Sequence, residues 1–262
     1  MTKALIASLL AAAAFPAVAQ APSSPPLDLS QAAALRDAAL QDELAWDITE
    51  DLTTEVGQRL AGTEAEARAR DWAVKRLTAM GFANVRVESF ALPVWERGAE
   101  SARLVAPFPQ ELVVDALGNS ASTPAGGIEA EVIGFPSVDA LRVAPDAEVR
   151  GKIVYITHAM PRTMDGSGYG VFGAPRRTGP TVASQKGAAA LVIRSIGTDW
   201  HRNAHTGMMS FAEGATPIPT GALSNPDADQ MERVLQRASG PVRMRLVLES
   251  RTSQGQSGNV IA

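Results

Sequence analysis

Few side chains in this chain are suited to chemistry. There are three histidines and no cysteine. Without cysteine, disulfides, thiolate nucleophiles, thiolate zinc sites and iron–sulfur clusters are excluded. His201 and His205 have the i, i+4 spacing that lets two imidazoles share a metal on one helix face. Arg202-Asn203-Ala204 between them and Thr206-Gly207 after them read as loop. No third ligand follows at a recognisable spacing, so hydrogen bonding is the expected role of both. His158 stands just past an apolar run, at an expected strand end, and is given no chemistry. Gly166-Ser167-Gly168-Tyr169-Gly170 invites a phosphate-loop reading. It lacks the Gly-Lys-Ser/Thr ending, and neither a strand nor a helix is expected to abut it. Ser167 is adjacent to Gly166, so no Gly-x-Ser-x-Gly nucleophile elbow is present. Arg176-Arg177 fits an anion site or a solvated pair. Asp42, Glu43, Glu64 and Glu66 read as carboxylates that cap or solvate helix surfaces. No catalytic, cofactor-binding or metal-binding residue is assigned.

The elements that position these residues centre on two apolar runs. Residues 151–156 (GKIVYI) and 188–193 (AAALVI) are continuous and of strand length, as suits strands covered on both faces of one sheet. The second follows a short helix that starts near Pro180 and is stopped by Gly187. Upstream, Ser30 is expected to cap a first helix. Ile48, Leu52, Val56 and Leu60 mark a second, broken by Gly57 and Gly62. Thr63 and Glu66 form a capping box opening a helix that carries Trp72, Leu77 and Met80 and ends at Gly81. Residues 82–92 read as a strand ended by Pro93 and Gly98, with a bulge near Glu88-Ser89. Short strands are expected at 103–105 and 111–115, and a strand at 128–133. Residues 137–141 and 144–149 read as turns, 218–223 as an edge strand, and 225–238 as a helix capped by Asn225. Val242, Met244, Leu246 and Leu248 alternate with polar residues as a half-exposed strand does. A polar link at 250–256 and a last apolar strand follow.

The chain has 262 residues, with Lys+Arg 24 against Asp+Glu 28 and a formal net charge of −4. No basic run is present, which argues against nucleic acid as a partner. Residues 1–19 read as a secretory signal: Lys3, an apolar core, then Ala17-Val18-Ala19 as a small-x-small cleavage site. No later stretch reaches the ~18 uninterrupted apolar residues of a membrane span. Export to the periplasm or the extracellular space, with no membrane span after cleavage, is expected.

The central helix–glycine–strand unit resembles a protease-associated (PA) domain. The resemblance extends through seven runs in order: Trp95-Glu96-Arg97-Gly98, Ala116-Leu117-Gly118-Asn119-Ser120, Thr123-Pro124-Ala125-Gly126-Gly127-Ile128, Gly151-Lys152-Ile153-Val154, the run from Gly187 to Ser195, His205-Thr206-Gly207 and Ile218-Pro219. Together they are similar to carboxypeptidase Q-like zinc exopeptidases, the plasma glutamate carboxypeptidase group, over about residues 30–262. That resemblance implies an α/β (α+β) fold. The implied divisions are a signal peptide at 1–19, a linker at 20–29 and an N-terminal part of the peptidase domain at 30–125. A PA insert at 126–241 and a return strand at 242–262 follow. It also implies peptide substrates and two zinc ions for the parent, held by ligands that include a His-x-Asp motif. None of His158, His201 and His205 stands in such a motif, so no zinc is expected in this chain. The expected function is the N-terminal, PA-containing portion of an exported exopeptidase, inactive by itself and cut before the catalytic core. A homodimer is possible for the parent. The alternative is a free-standing PA-type module that binds protein or peptide. As a partial peptidase domain, the helix at 64–80 and the strand at 82–92 are expected to leave an apolar patch open.

Overall fold

The computed structural model describes residues 29–262. The expected signal peptide and nearly all of the linker lie outside them. The chain divides into two compact units, one ending at Glu55 and one running from Val56 to Ala262. The first carries α1 (Ser30–Ala39) and α2 (Leu44–Asp51). Ser30 is the first residue of α1 rather than its cap; Leu29 holds that position without a side-chain bond. A single π-helical turn, Leu52–Val56, follows α2.

The second unit opens with α3 (Glu64–Ala79). The capping box forms with one change. Thr63 Oγ1 accepts from Glu66 N–H at 3.3 Å, but the Glu66 carboxylate reaches Gly62 N–H, also at 3.3 Å, rather than the cap's own amide. β1 (Arg86–Ala106) then runs for 21 residues. The expected stop at Pro93 and Gly98 is therefore corrected. Over that stretch β1 has a paired neighbour, described next, on one side only, and an edge position tolerates a residue without an N–H. β2 (Gln110–Leu112) and β3 (Val114–Ala116) follow, separated by Val113. β4 (Ile128–Phe135) leads to α4 (Val138–Val143) and α5 (Asp146–Val149), two short helices where turns were expected. Ser137 caps α4 by accepting from Ala140 N–H, a local bond that favours a helical turn over an open connection.

The central unit is as the sequence suggests. β5 (Ile153–Ile156) and β6 (Ala190–Arg194) are parallel neighbours with every residue buried. Between them lie α6 (Gly168–Phe172), α7 (Ala174–Arg177) and α8 (Gly179–Gln185). The first two replace the structureless loop expected from the glycines; Tyr169, Phe172 and Ala174 pack on the core and hold these turns. Gly187 follows α8 at φ +76°, a left-handed position that suits glycine. β7 (Thr220–Leu223) is not an edge strand: it lies between β6 and β3. Pro219 stands just before it and contributes its carbonyl to Leu191 N–H. α9 (Asn225–Arg237) is capped by Ser224, not Asn225. β8 (Arg243–Ile261) absorbs the stretch read as a polar link.

One mixed sheet results, in the order β2-β1-β8-β4-β5-β6-β7-β3. Its two ends are joined through Val113, so the sheet curls until they approach. Alternate residues of the strands feed two cores. Ile153, Tyr155, Val192, Met244 and Leu246 pack with Met231 and Val234 of α9. Val154, Ile156, Leu191 and Ile193 pack with Leu141 of α4 and Val182 of α8. The α/β reading of the fold stands. From Arg86 to Arg97 and Ser250 to Ile261, β1 and β8 leave this body as an antiparallel ribbon in continuous register. α3 lies on the ribbon, where Ser257 Oγ donates to Glu66 at 3.1 Å. No residue of α3 is buried, and Val87 and Phe90 are exposed, so the open apolar patch expected from the sequence is present. Among the described residues no helix is long and apolar enough to cross a membrane.

Candidate functional site

Three of the runs singled out in the sequence converge where the ribbon meets the curled sheet. The first is at the irregularity of β1, where the register with β8 shifts between Arg97 and Glu100. The second is the turn after β3, and the third the irregular segment after His205. The last two are tied by backbone bonds: Gly118 N–H donates to Gly207 C=O at 2.8 Å, and Met209 N–H to Gly118 C=O at 3.0 Å. A Cβ at Gly118 would lie 3.1 Å from Met208 Cγ, so glycine permits the approach. Asn119 Nδ2 donates to Met209 C=O at 3.1 Å. The Trp95 indole N–H donates to Ser120 C=O at 2.9 Å.

Arg97 joins all three. Its Nη2 donates to Ala116 C=O at 2.9 Å and to Thr206 Oγ1 at 3.1 Å. The guanidinium stands 5.1 Å from the Trp95 ring centroid, a cation–π distance. Its Nε lies 3.5 Å from Glu100 Oε1, and that same oxygen accepts from Ala116 N–H at 3.0 Å. Burial pushes the Glu100 carboxyl above its usual range, and the nearby Asp115 charge adds to the rise, against the Ala116 N–H and Arg97. Between these groups opens a cleft of about 350 Å³. Leu60, Leu92, Val94, Trp95 and Met208 form its apolar wall, and Arg97 and Asn119 stand at its polar margin.

Behind the cleft, Arg176 fixes the third segment. Its Nη1 donates to Thr206 C=O at 2.7 Å and to Tyr169 Oη at 2.9 Å. Tyr169 Oη is hydrogen-bonded to His205 Nε2 at 2.7 Å, and His205 N–H donates to Ser195 Oγ at 2.7 Å. His205 and Arg176 thus have the structural roles that loop chemistry favours. Arg177 donates to Gly170 C=O, and Ser167 Oγ to Asp165. His201 Nε2 lies 3.3 Å from Asp199, while the His158 ring lies 4.6 Å from that of Phe172, tilted by 41°. Glu66 is more than a surface carboxylate, since it binds Gly62, Arg70 and Ser257.

Among the described residues no group of three or more His, Asp or Glu side chains could hold a metal ion. The described residues do not fit a zinc site. Residue-by-residue reading of the sequence missed the cleft, because its lining is mostly apolar and backbone. The usable signal was the occurrence of Trp95 to Gly98, Ala116 to Ser120 and His205 to Gly207 as ordered runs.

No protein-family model matches the chain. Carboxypeptidase Q of Bos taurus is 36% identical over 189 residues, 72% of this chain and 38% of that protein. Carboxypeptidase Q of Homo sapiens is 34% identical over 188 residues, 70% of this chain and 37% of that protein. The chain therefore spans well under half the length of the curated relatives it matches. Among solved structures, a peptidase M28 precursor from Shewanella amazonensis SB2B superposes with a TM-score of 0.82 at 44% identity. The match covers 88% of this chain and 52% of that one. BSAP, a zinc aminopeptidase from Bacillus subtilis, shares the fold with a TM-score of 0.54 at 20% identity, covering 82% of this chain and 46% of that one.

Proposed function

Because the chain is carboxypeptidase Q-like in sequence and has the fold of the M28 peptidase precursor, we propose that it is a portion of an exported zinc-dependent exopeptidase. The observation carrying this reading is the 44% identity and TM-score of 0.82 over 88% of the chain, matched to about half of a longer peptidase. In this reading the curled sheet with α4, α8 and α9 is a PA-type domain, and α3 with the ribbon belongs to the peptidase domain. Peptide hydrolysis by metal-activated water needs ligands that bridge and terminate two ions. The described residues supply no such set, so the ligands of the parent come from other segments. This chain contributes the wall of a cleft rather than the reaction. The signal peptide proposed at 1–19 supports export.

The test is zinc titration of the purified chain with elemental analysis, together with dipeptide hydrolysis. The expected result is no stoichiometric zinc and no turnover by this chain. The parent enzyme carrying the homologous segment should show both. Stoichiometric zinc with turnover by this chain alone overturns the reading. A parent with no zinc-dependent peptidase activity supports a PA-type binding module instead.

A further inference from the structure

We infer that the pocket between α9 and the carboxyl ends of β4 and β5 binds an alkylammonium group, the end of a lysine side chain or of a free amine. This site belongs to the curled sheet, shares no residue with the cleft at Arg97, and is independent of the proposed peptidase reading.

The pocket has a volume of about 400 Å³, within the range of ligand sites. It opens where β4 ends at Phe135 and β5 at Ile156, the edge of a parallel pair at which ligand crevices form in α/β sheets. Tyr155 and Thr157 line it from the β5 side, and Glu232, Leu235 and Gln236 from α9. The base is fixed, since Tyr155 is fully buried and its phenol donates to Ala228 C=O at 3.2 Å.

Among the described residues lining the pocket, Glu232 alone is charged. Its Oε1 accepts from Thr157 Oγ1 and from Arg194 Nη2, the latter at 2.7 Å. The same Nη2 also donates to Asp229 Oδ1. One guanidinium therefore serves two carboxylates, and an excess negative charge remains. Arg194 is 7% exposed and does not line the pocket. Its Nε is buried without a partner among the described residues, so its bonds to the two acids all go through Nη2. Tying α9 to β6 in this way uses only Oε1 of Glu232. Oε2 has no hydrogen-bond partner among the described residues. A carboxylate held from two sides has few rotamers to lose, so a cation finds it preorganised.

The geometry also selects the kind of cation. A guanidinium pairs best with both oxygens of a carboxylate. Oε1 already accepts two bonds, so that fork is blocked. An ammonium is a point charge that takes single oxygens, here Glu232 Oε2 and the amide oxygen of the exposed Gln236. Pro136 and Leu235 offer apolar surface to the alkyl stem.

The experiment is an NMR titration of the chain with Nα-acetyl-L-lysine N-methylamide, following the Leu235 methyl resonances assigned with a Leu235→Met variant. Saturable shifts are expected. The Nε-acetylated analogue, which lacks the charge, should bind about tenfold more weakly, the range of a lost charge-assisted hydrogen bond. The arginine analogue should also bind more weakly than the lysine one. Glu232→Gln, which keeps an oxygen for Thr157 and Arg194, should lose about the same tenfold; the comparison of charged and acetylated lysine needs no variant and holds if that protein misfolds. n-Butylamine separates the two sources. Equal affinity supports a free alkylamine, and weaker binding supports a lysine side chain within a peptide. No saturable shift with either amine, equal binding of the acetylated analogue, or tighter binding of the guanidinium overturns the inference.

Discussion

Replacing Asp227 by alanine tests how the curled sheet is held closed. Asp227 is 6% exposed in the first turn of α9. Its Oδ2 accepts from Ser224 Oγ at 2.6 Å and from Val113 N–H at 3.1 Å. Its Oδ1 accepts from Arg202 Nη2 at 2.8 Å. Val113 is the residue between β2 and β3, and its amide lies in neither strand's ladder. Three losses follow in Asp227→Ala. The half-buried Val113 N–H is left without a partner, at about 1–3 kcal/mol. The buried Ser224 hydroxyl loses its acceptor, at about 1 kcal/mol. The Arg202 pair goes as well, but that side chain is 56% exposed, so screening limits the loss to about 0.5 kcal/mol. The sum is about 2.5–4.5 kcal/mol. For a unit of this size each kcal/mol lowers Tm by about 2–4 °C, so a fall of about 10 °C is expected by differential scanning calorimetry. Asp227→Asn keeps one oxygen acceptor and should cost about half as much. Arg202→Ala removes the exposed pair and a long, exposed bond to Glu111 C=O at 3.5 Å and should move Tm by under about 2 °C. If Asp227→Ala and Arg202→Ala melt together, the carboxylate does not anchor Val113 and the reasoning fails.

Three further substitutions probe the packing elsewhere. Burial tends to raise the pKa of Glu66, but the bonds from Arg70, Ser257 and Gly62 win and hold its carboxyl below the usual range. A carboxylate depressed on folding contributes stability above its unfolded pKa of about 4.3, and loses it as pH falls through the folded value. Urea melts should therefore show Glu66→Gln less stable than the wild type at pH 7, with the gap closing below about pH 4; a gap constant with pH refutes the linkage. Gly127 and Gly126 have φ of +85° and +83°, but a Cβ at Gly127 would lie 2.6 Å from Leu246 C=O, whereas Gly126 faces open space. Gly126→Ala should cost about 1–2 kcal/mol of left-handed strain. Gly127→Ala should cost at least about 2 kcal/mol more, because it pushes against the backbone of β8. Equal midpoints in urea would show that contact to be soft.

The parts of the fold legible in the sequence are those where burial dictates pattern. β5 and β6 are covered on both faces, and their apolar runs say so. β8 alternates at Met244, Leu246 and Leu248, continuing from Val242 just before it, because one face meets α9 and the other meets solvent. The ribbon defeated the same reasoning for the same cause. From Arg86 to Arg97 and Ser250 to Ile261 only Val94 and Ser257 are buried among the described residues, so no face imposes a period. Val87 and Phe90 fall out of phase without a bulge, since pairing is continuous through Glu88 and Ser89. Gly98 marks the real irregularity; a Cβ there would lie 2.8 Å from Glu249 Cβ. The candidate cleft was legible only as ordered short runs. Its key groups are the Ala116 carbonyl, which carries no side-chain signature, and the Thr206 hydroxyl, and the contacts of Arg97 with them span residues far apart in the chain.

The register of the ribbon has a topological consequence. Arg86 is paired with Ile261, so the path into the curled sheet and the path out of it are one strand spacing apart. Antiparallel partners sit about 5 Å apart. A host sheet interrupted at this point meets a gap no wider than a hairpin turn, whatever the size of the domain beyond it. Closing such a gap adds almost no loop entropy to the host's folding. If the curled sheet is an insert, as proposed above, it can be lengthened or exchanged while the two strands that carry it keep their places.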